Sequence, residues 1–412
     1  MTTMSRRTVL GLLASGVAVS AVPWTAQAEV GTGVGSGAGY RLELPRPTGP
    51  YPIATVELHL VDNRRQDPWG SGQTRELMVS VWYPAFPVGP QAFYAPAQAA
   101  VPLADEVAVT LGLRPGQVDY ARTATHARLG APVLGRRHPI ILYSPGLGTS
   151  RILGTNHVEE LASRGYVVVT IDHTGEAPVQ FPDGSVAPVV LPTDDNKTAI
   201  QARVADTRFV LDALADLAVG NNPDAEGRAL PTGLADALDL RRTGMFGYSA
   251  GGFTAAETML VDRRIDAGVN LDGTLQYSFP QGELSEVAKR GLDRPFLLFG
   301  ADGHSHLPGG SFEDPSWMSF WANQRGWNLD LSIPTGTHGA FADYQFSVPA
   351  IAAKYGVPNE DVTRFLGTVN PSGSIRGQRA YLTAFFARFL RGLRQPLLDR
   401  PSPKYPEVVF AR

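Results

Sequence analysis

Ser249 stands in Gly247-Tyr248-Ser249-Ala250-Gly251, the only G-x-S-x-G in a chain of 412 residues. A serine hydroxyl is a weak nucleophile near neutral pH and needs a base within hydrogen-bond reach, itself oriented by a third group. The residues around Ser249 suit that chemistry for a steric reason. A short apolar run ending in Met245-Phe246 precedes the motif and a helix is expected from about Gly252, which places the serine on a tight strand-to-helix turn. Side chains two positions either side of the serine would collide there, and glycine removes them. The helix N-terminus behind Ser249 would favour developing negative charge. The chemistry this points to is acyl transfer through a serine nucleophile.

A serine presented in this way takes its partners in the chain order serine, acid, histidine. Of the eight histidines, only His304, His306 and His338 lie downstream of Ser249. His338 is the expected base, in the glycine-flanked loop Thr335-Gly-Thr-His-Gly-Ala-Phe just after the expected strand Leu329–Ile333. Two carboxylates close successive expected strands, Asp272 after Ala267–Leu271 and Asp302 after Phe296–Phe299. Asp302 has the usual placement, one strand before the histidine loop. Asp272 has its place beside the nucleophile strand. The oxyanion needs two backbone N–H donors, one of them from the residue after the nucleophile, Ala250. The second is expected from Pro145-Gly146-Leu147-Gly148, where flanking glycines let an N–H turn inward.

The elements that must carry these residues alternate strand, loop and helix from residue 138. Pro139–Tyr143 is a short, fully apolar run and Tyr166–Ile171 a second apolar one with a single Thr, as parallel strands buried on both faces require. Ala199–Ala218 and Arg379–Leu393 have apolar residues at helical spacing. Upstream, Ala54–Leu60 and Glu76–Tyr83 read as an antiparallel pair joined by the turn-rich Asn63–Gly70. The expected fold class is therefore α/β, a doubly wound, mostly parallel sheet with an antiparallel N-terminal pair and helices on both faces. Residues 85–130 do not fit the alternation, although Ala104–Leu113 could be a short helix; they are expected as a lid or cap, or as an ordinary surface insertion.

The first 28 residues combine Arg6-Arg7, an apolar run from Val9 to Val22 and Ala26-Gln-Ala28, the pattern of a twin-arginine export signal cut before Glu29. The apolar run is shorter than the roughly 20 residues a membrane span needs. Residues 29–39 form a glycine-rich lead-in, and 40–412 are expected as a single domain, secreted or otherwise extracytoplasmic. The chain has no Cys, which removes a disulfide framework, a thiol nucleophile and a thiolate metal site. Removing the two leader arginines takes the formal charge from −3 to −5, so no sequence-wide basic field invites nucleic acid. No metal, cofactor or protein partner is predicted. The expected partner is an ester or lipid substrate, with transient contact to a lipid interface.

Four places resemble the plasma-type (isoform II) platelet-activating factor acetylhydrolases and their bacterial exported esterase relatives, a branch of the α/β-hydrolases: Val81-Trp-Tyr-Pro, Ser144-Pro-Gly-Leu-Gly, Gly247-Tyr-Ser-Ala-Gly-Gly and His338-Gly-Ala-Phe-Ala-Asp343. The resemblance implies an α/β-hydrolase fold over roughly residues 55–395 and a serine ester hydrolase. It also implies an acid at Asp272 and oxyanion donors at the N–H groups of Leu147 and Ala250. Bacterial cutinase-like lipases, by contrast, take their acid from the second Asp of Gly-Ala-Asp-x-Asp; here that stretch is Gly300-Ala-Asp302-Gly-His304, which argues for Asp272. Pro145, Tyr248 and Ala250 depart from the residues common in the acetylhydrolases and point to an esterase or lipase of open specificity. The triad does not encode the leaving group, so a peptidase, an acyltransferase or a non-catalytic lipid- or polymer-binding relative are the rival readings.

Other residues are expected in plainer roles. His304 and His306 read as a surface loop, and Asp172-His173 as structural. Arg203 and Asp206, at i and i+3 on one helix, read as an ion pair. Trp317, Trp321 and Trp327 read as packing residues, with an acyl pocket or a lipid surface as the alternative.

Overall fold

In the computed structural model, which describes residues 39–411 apart from 71, 192–194, 279–281 and 310–311, the apolar runs of the sequence become strands of one sheet. The leader, and the lead-in up to residue 38, lie outside the described residues. The strands are β1 (Ile53–Gln66), β2 (Thr74–Pro84), β3 (Gln91–Phe93), β4 (Ala124–Leu129), β5 (His138–Ser144), β6 (Val167–Asp172), β7 (Val179–Gln180), β8 (Val186–Ala187), β9 (Leu238–Tyr248), β10 (Ala267–Leu271), β11 (Phe296–Gly300), β12 (His304–Ser305), β13 (Phe312–Glu313), β14 (Asn328–Ser332) and β15 (Val409–Phe410). The main sheet runs β15-β14-β11-β10-β9-β5-β6-β2-β1-β4-β3, and β7–β8 and β12–β13 form two small ribbons. From β14 to β6 every neighbouring pair is parallel. The β1–β2 hairpin joins this block antiparallel through β2 and β6.

The helices are α1 (Ala100–Thr110), α2 (Thr155–Ser163), α3 (Asn196–Ala218), α4 (Leu234–Ala237), α5 (Ala250–Val261), α6 (Glu286–Arg290), α7 (Pro315–Asn323), α8 (Tyr344–Tyr355), α9 (Asn359–Leu366) and α10 (Pro371–Arg391). Side chains alternate across each strand, so the central runs feed two cores. Ile141, Tyr143, Val168 and Phe246 pack with α1, α2, α8 and α10 on one face. Ile140, Leu142, Val167, Val169 and Met245 pack with α3, α5, α6 and α7 on the other. Burying each such large side chain contributes about 1.5–3 kcal/mol, which is why a run apolar at every position is stable only when covered on both sides. This is an α/β-hydrolase fold.

Two expectations about the elements change. Residues 85–130 extend the sheet: β4 pairs in parallel with β1, β3 adds the edge, and Leu103, Ala104 and Val107 of α1 are buried in the core. The hairpin connection is shorter than read, because β1 continues to Gln66 with a register shift after Asp62. Arg65 is held there by Asp62 at 2.6 Å and by Asp206 at 2.9 Å, which draws polar residues into the strand.

Candidate active site

The turn at Ser249 is as tight as its glycines imply. Ser249 has φ 56° and ψ −124°, a region L residues seldom occupy, at a cost on the order of 1–3 kcal/mol. Its N–H donates to Leu271 O at 2.7 Å, which pins the elbow to the neighbouring strand. A Cβ at Gly247 would overlap the Gly251 backbone, and one at Gly251 would overlap the carbonyl oxygen of Ser144.

The register of the sheet sets which acid is level with the serine. Leu271 of β10 pairs with Tyr248 of β9, so Asp272 and Ser249 each follow directly on a paired residue. Asp272 also has positive φ, 60°, in a turn closed by Asn270, whose side chain bonds both the N–H and the carbonyl of Gly273. Asp272 Oδ2 lies 2.6 Å from His338 Nδ1. Asp302 lies three residues beyond Phe299, the last residue of β11 paired with β10 (to Leu271), and it is exposed. The structure therefore brings Asp272, and not Asp302, to His338.

His338 opens a short 3-10 turn, His338–Phe341, and its side chain is 33% exposed. Thr337 N–H and Oγ1 donate to Leu366 and Phe365 carbonyls, and Gln378 donates to Ala340 O at 2.8 Å, so the loop is held on both sides of the histidine. The Tyr248 ring sits 4.7 Å from the imidazole. Buried Asp343, at the end of the same loop, accepts from Tyr94 Oη and the Asn156 N–H, which ties the loop to α2 and to the segment after β3. Burial pushes the Asp343 carboxyl well above the usual carboxylate range.

Asp272 has a second partner that its position in sequence did not announce. Its Oδ1 accepts from the Ala301 N–H at 2.7 Å and lies 2.7 Å from His304 Nδ1. His304, expected on the surface, is 3% exposed. It reaches Asp314 Oδ2 with Nε2 at 3.1 Å and packs at a tilt on Trp317, the ring centroids 3.8 Å apart. His306 likewise packs inward, on Trp321 and against Asp330. Burial alone would raise the Asp272 pKa, but His304 and His338 hold it well below the carboxylate range.

Leu147 and Ala250, the expected oxyanion donors, are both part-exposed, and neither backbone N–H finds an acceptor among the described residues. What shapes the loop under Leu147 is Arg203. This fully buried guanidinium donates to Pro145 O at 2.6 Å and Gly146 O at 2.8 Å, and grips Glu176 at 2.8 and 2.5 Å. Arg203 and Asp206 are thus not an ion pair: Asp206 is bound by Arg75, Arg65 and His173. His173 in turn bonds Ser144 Oγ at 2.9 Å, and Asp172 is bonded by Arg151 and Ser150. Trp317, Trp321 and Trp327 pack on His304, His306 and Phe389 respectively.

The arrangement can do one thing chemically. With Nδ1 of His338 committed to a carboxylate, Nε2 is the nitrogen left to take a proton, and Ser249 stands at the carboxyl edge of the sheet with the Ala250 N–H directly after it.

Comparison with known proteins gives concordant matches. A family model described as platelet-activating factor acetylhydrolase, isoform II, matches residues 104–180. The chain is 29% identical over 393 residues to a probable 1-alkyl-2-acetylglycerophosphocholine esterase of Arthroderma benhamiae, covering 89% of this chain and 93% of that protein. It is 27% identical over 187 residues to a platelet-activating factor acetylhydrolase of Cavia porcellus, covering 40% of this chain and 41% of that protein. Among solved structures, a ferulic acid esterase from Streptomyces cinnamoneus superposes with a TM-score of 0.72 at 38% identity, over 90% of this chain and 100% of that chain.

Proposed function

The chain belongs to the platelet-activating factor acetylhydrolase (isoform II)-like family of α/β-hydrolases and is a carboxylic-ester hydrolase, and from that premise we propose that it works through an acyl-enzyme on Ser249. His338 takes the proton as Ser249 Oγ attacks the ester carbonyl, and Asp272 fixes the imidazole tautomer and stabilises the imidazolium. The N–H groups of Leu147 and Ala250 receive the oxyanion; the proton then passes from His338 to the leaving alcohol. Water, deprotonated by His338 in its turn, releases the acid and restores the serine. The observation that carries this reading is the 2.6 Å contact between Asp272 Oδ2 and His338 Nδ1, with Asp272 set level with Ser249 by the register of β10 on β9.

The substrate class in this reading is an acyl or acetyl ester of a lipid, including phospholipid, with open specificity. The twin-arginine pattern supports export of the folded protein. A fluorophosphonate probe should label the wild type and not Ser249→Ala. An unlabelled wild type would sink the reading. A panel of p-nitrophenyl esters of rising chain length, beside 2-acetyl phospholipid and triglyceride, reads the acyl preference; hydrolysis of none of them would remove the lipid-ester assignment.

A further inference from the structure

His304 has no part in the mechanism above, yet both its ring nitrogens are spent on carboxylates: Nδ1 on Asp272 at 2.7 Å and Nε2 on Asp314 at 3.1 Å. A neutral imidazole has one N–H and cannot donate to both. Asp314 is disfavoured as the source of the missing proton, because its carboxylate caps the N-terminus of a helix, where the ionised form is favoured. Its Oδ1 takes the Ser316 N–H at 2.8 Å and the Ser316 hydroxyl at 2.5 Å, at the N-terminus of α7, where negative charge is favoured. On the far side, Ala301 N–H donates to the same Asp272 oxygen that His304 uses, so that oxygen also faces donors only.

We infer that His304 is held as an imidazolium between Asp272 and Asp314, and that it is a positioning residue which sets the proton affinity of His338 through their shared carboxylate. This rests on the reading of Asp272 as the acid of the triad. The Asp314, His304 and Asp272 charges sum to −1 facing His338. The other ionisable groups around His304 are Asp302 and His306, two residues away on either side in the chain, Asp330 of β14, which is bonded to His306, and His338 itself. The Trp317 ring against His304 suits a cation. Burial alone would lower the His304 pKa, but Asp272 and Asp314 hold it up at about 9, in keeping with the bond pattern.

The charge count gives opposite signs for two single variants. His304→Gln leaves −2 facing His338, so the imidazole keeps its proton to higher pH, and the acid limb of the kcat/KM profile for a p-nitrophenyl ester moves up by about one unit. Asp314→Asn leaves no net charge and moves the limb down by a similar amount; Asp272 stays on Nδ1 to keep His304 protonated. The double variant restores −1 and returns the limb towards the wild-type position. A merely structural role would lower turnover in all three without limbs of opposite sign. Independently of activity, nitrogen-15 NMR of histidine-labelled wild type should show both His304 ring nitrogens protonated at pH 7, which keeps the inference testable if His304→Gln does not fold. A neutral His304 at pH 7, or single variants that shift the limb in one direction or not at all, would overturn it. If Asp272→Asn keeps wild-type turnover, the triad reading falls first; if Asp272→Asn is inactive and the limbs still coincide, only the role of His304 is lost.

Discussion

Replacing Asp272 by Asn tests the acid with little change of shape, and its bonding partners say how the amide must sit. Oδ1 faces two donors, the Ala301 N–H and His304 Nδ1, while Oδ2 faces His338 Nδ1. An amide has one acceptor end and one donor end. Placing the NH2 among the two donors would leave buried N–H groups unpaired at about 1–3 kcal/mol each, so the amide oxygen settles there and the NH2 turns to His338. That end then donates to Nδ1, which forces the His338 proton onto Nε2, the nitrogen that should receive the proton of Ser249. The loss of turnover should be on the order of 10⁴-fold, about 5.5 kcal/mol of transition-state stabilisation, with a folded protein. Asp302→Asn, at an exposed position, should leave stability within about 0.5 kcal/mol and turnover near wild type. The assay is kcat on a soluble p-nitrophenyl ester with circular dichroism of each variant. A folded Asp272→Asn within tenfold of wild type, beside a folded and inactive Asp302→Asn, would refute the reasoning.

Three other outcomes follow from the same geometry. Arg203→Lys cannot fork across Pro145 O, Gly146 O and Glu176, so the loop under Leu147 should drift and kcat fall roughly 10- to 100-fold with KM little changed, read by steady-state kinetics. Gly251→Ala places a methyl on the Ser144 carbonyl and should lower stability by at least about 1–3 kcal/mol, read by denaturant melts, together with a slower rate of fluorophosphonate labelling. His157 is buried neutral, its pKa pushed down to about 3 by burial and by Arg379, and His173 is lowered for the same kind of reason. The unfolded chain therefore binds more protons below about pH 6.5, and that stability is lost as pH falls towards 3. Thermal melts should show the midpoint dropping through this window, with a shallower slope in His157→Gln.

The fold could be read from local pattern because its central strands have short, almost wholly apolar cores. Runs such as Pro139–Tyr143 and Tyr166–Ile171 can be stable only with helices on both faces, and they became β5 and β6 at the centre of the sheet. The elbow was legible for a similar reason. Gly247 and Gly251 report an overlap that any side chain would create within a few residues of Ser249, so the constraint is written in neighbouring positions. Residues 85–130 were harder to read because β3 and β4 are short strands at one end of the sheet with one buried face or less, and β4, to which β3 pairs, takes its other partner from β1, far away in sequence.

Charged groups were the least legible, since their partners come from remote segments. The i, i+3 spacing on α3 suggested that Arg203 and Asp206 pair, but buried Glu176 and the loop carbonyls claimed the arginine, while Arg75 and His173 claimed the aspartate. His304 lies among glycines and serines, a composition that reads as surface; Asp272 and Asp314 draw it inward, and nothing near it in sequence shows that. The sequence by itself determined the layered α/β architecture, the strand-to-helix turn at Ser249 and the short list of its candidate partners, because periodicity and steric exclusion act between near neighbours. Only the tertiary structure decided which carboxylate reaches His338. That choice depends on β10 lying next to β9 with Leu271 level with Tyr248, and strand order and register are set by packing across the whole sheet.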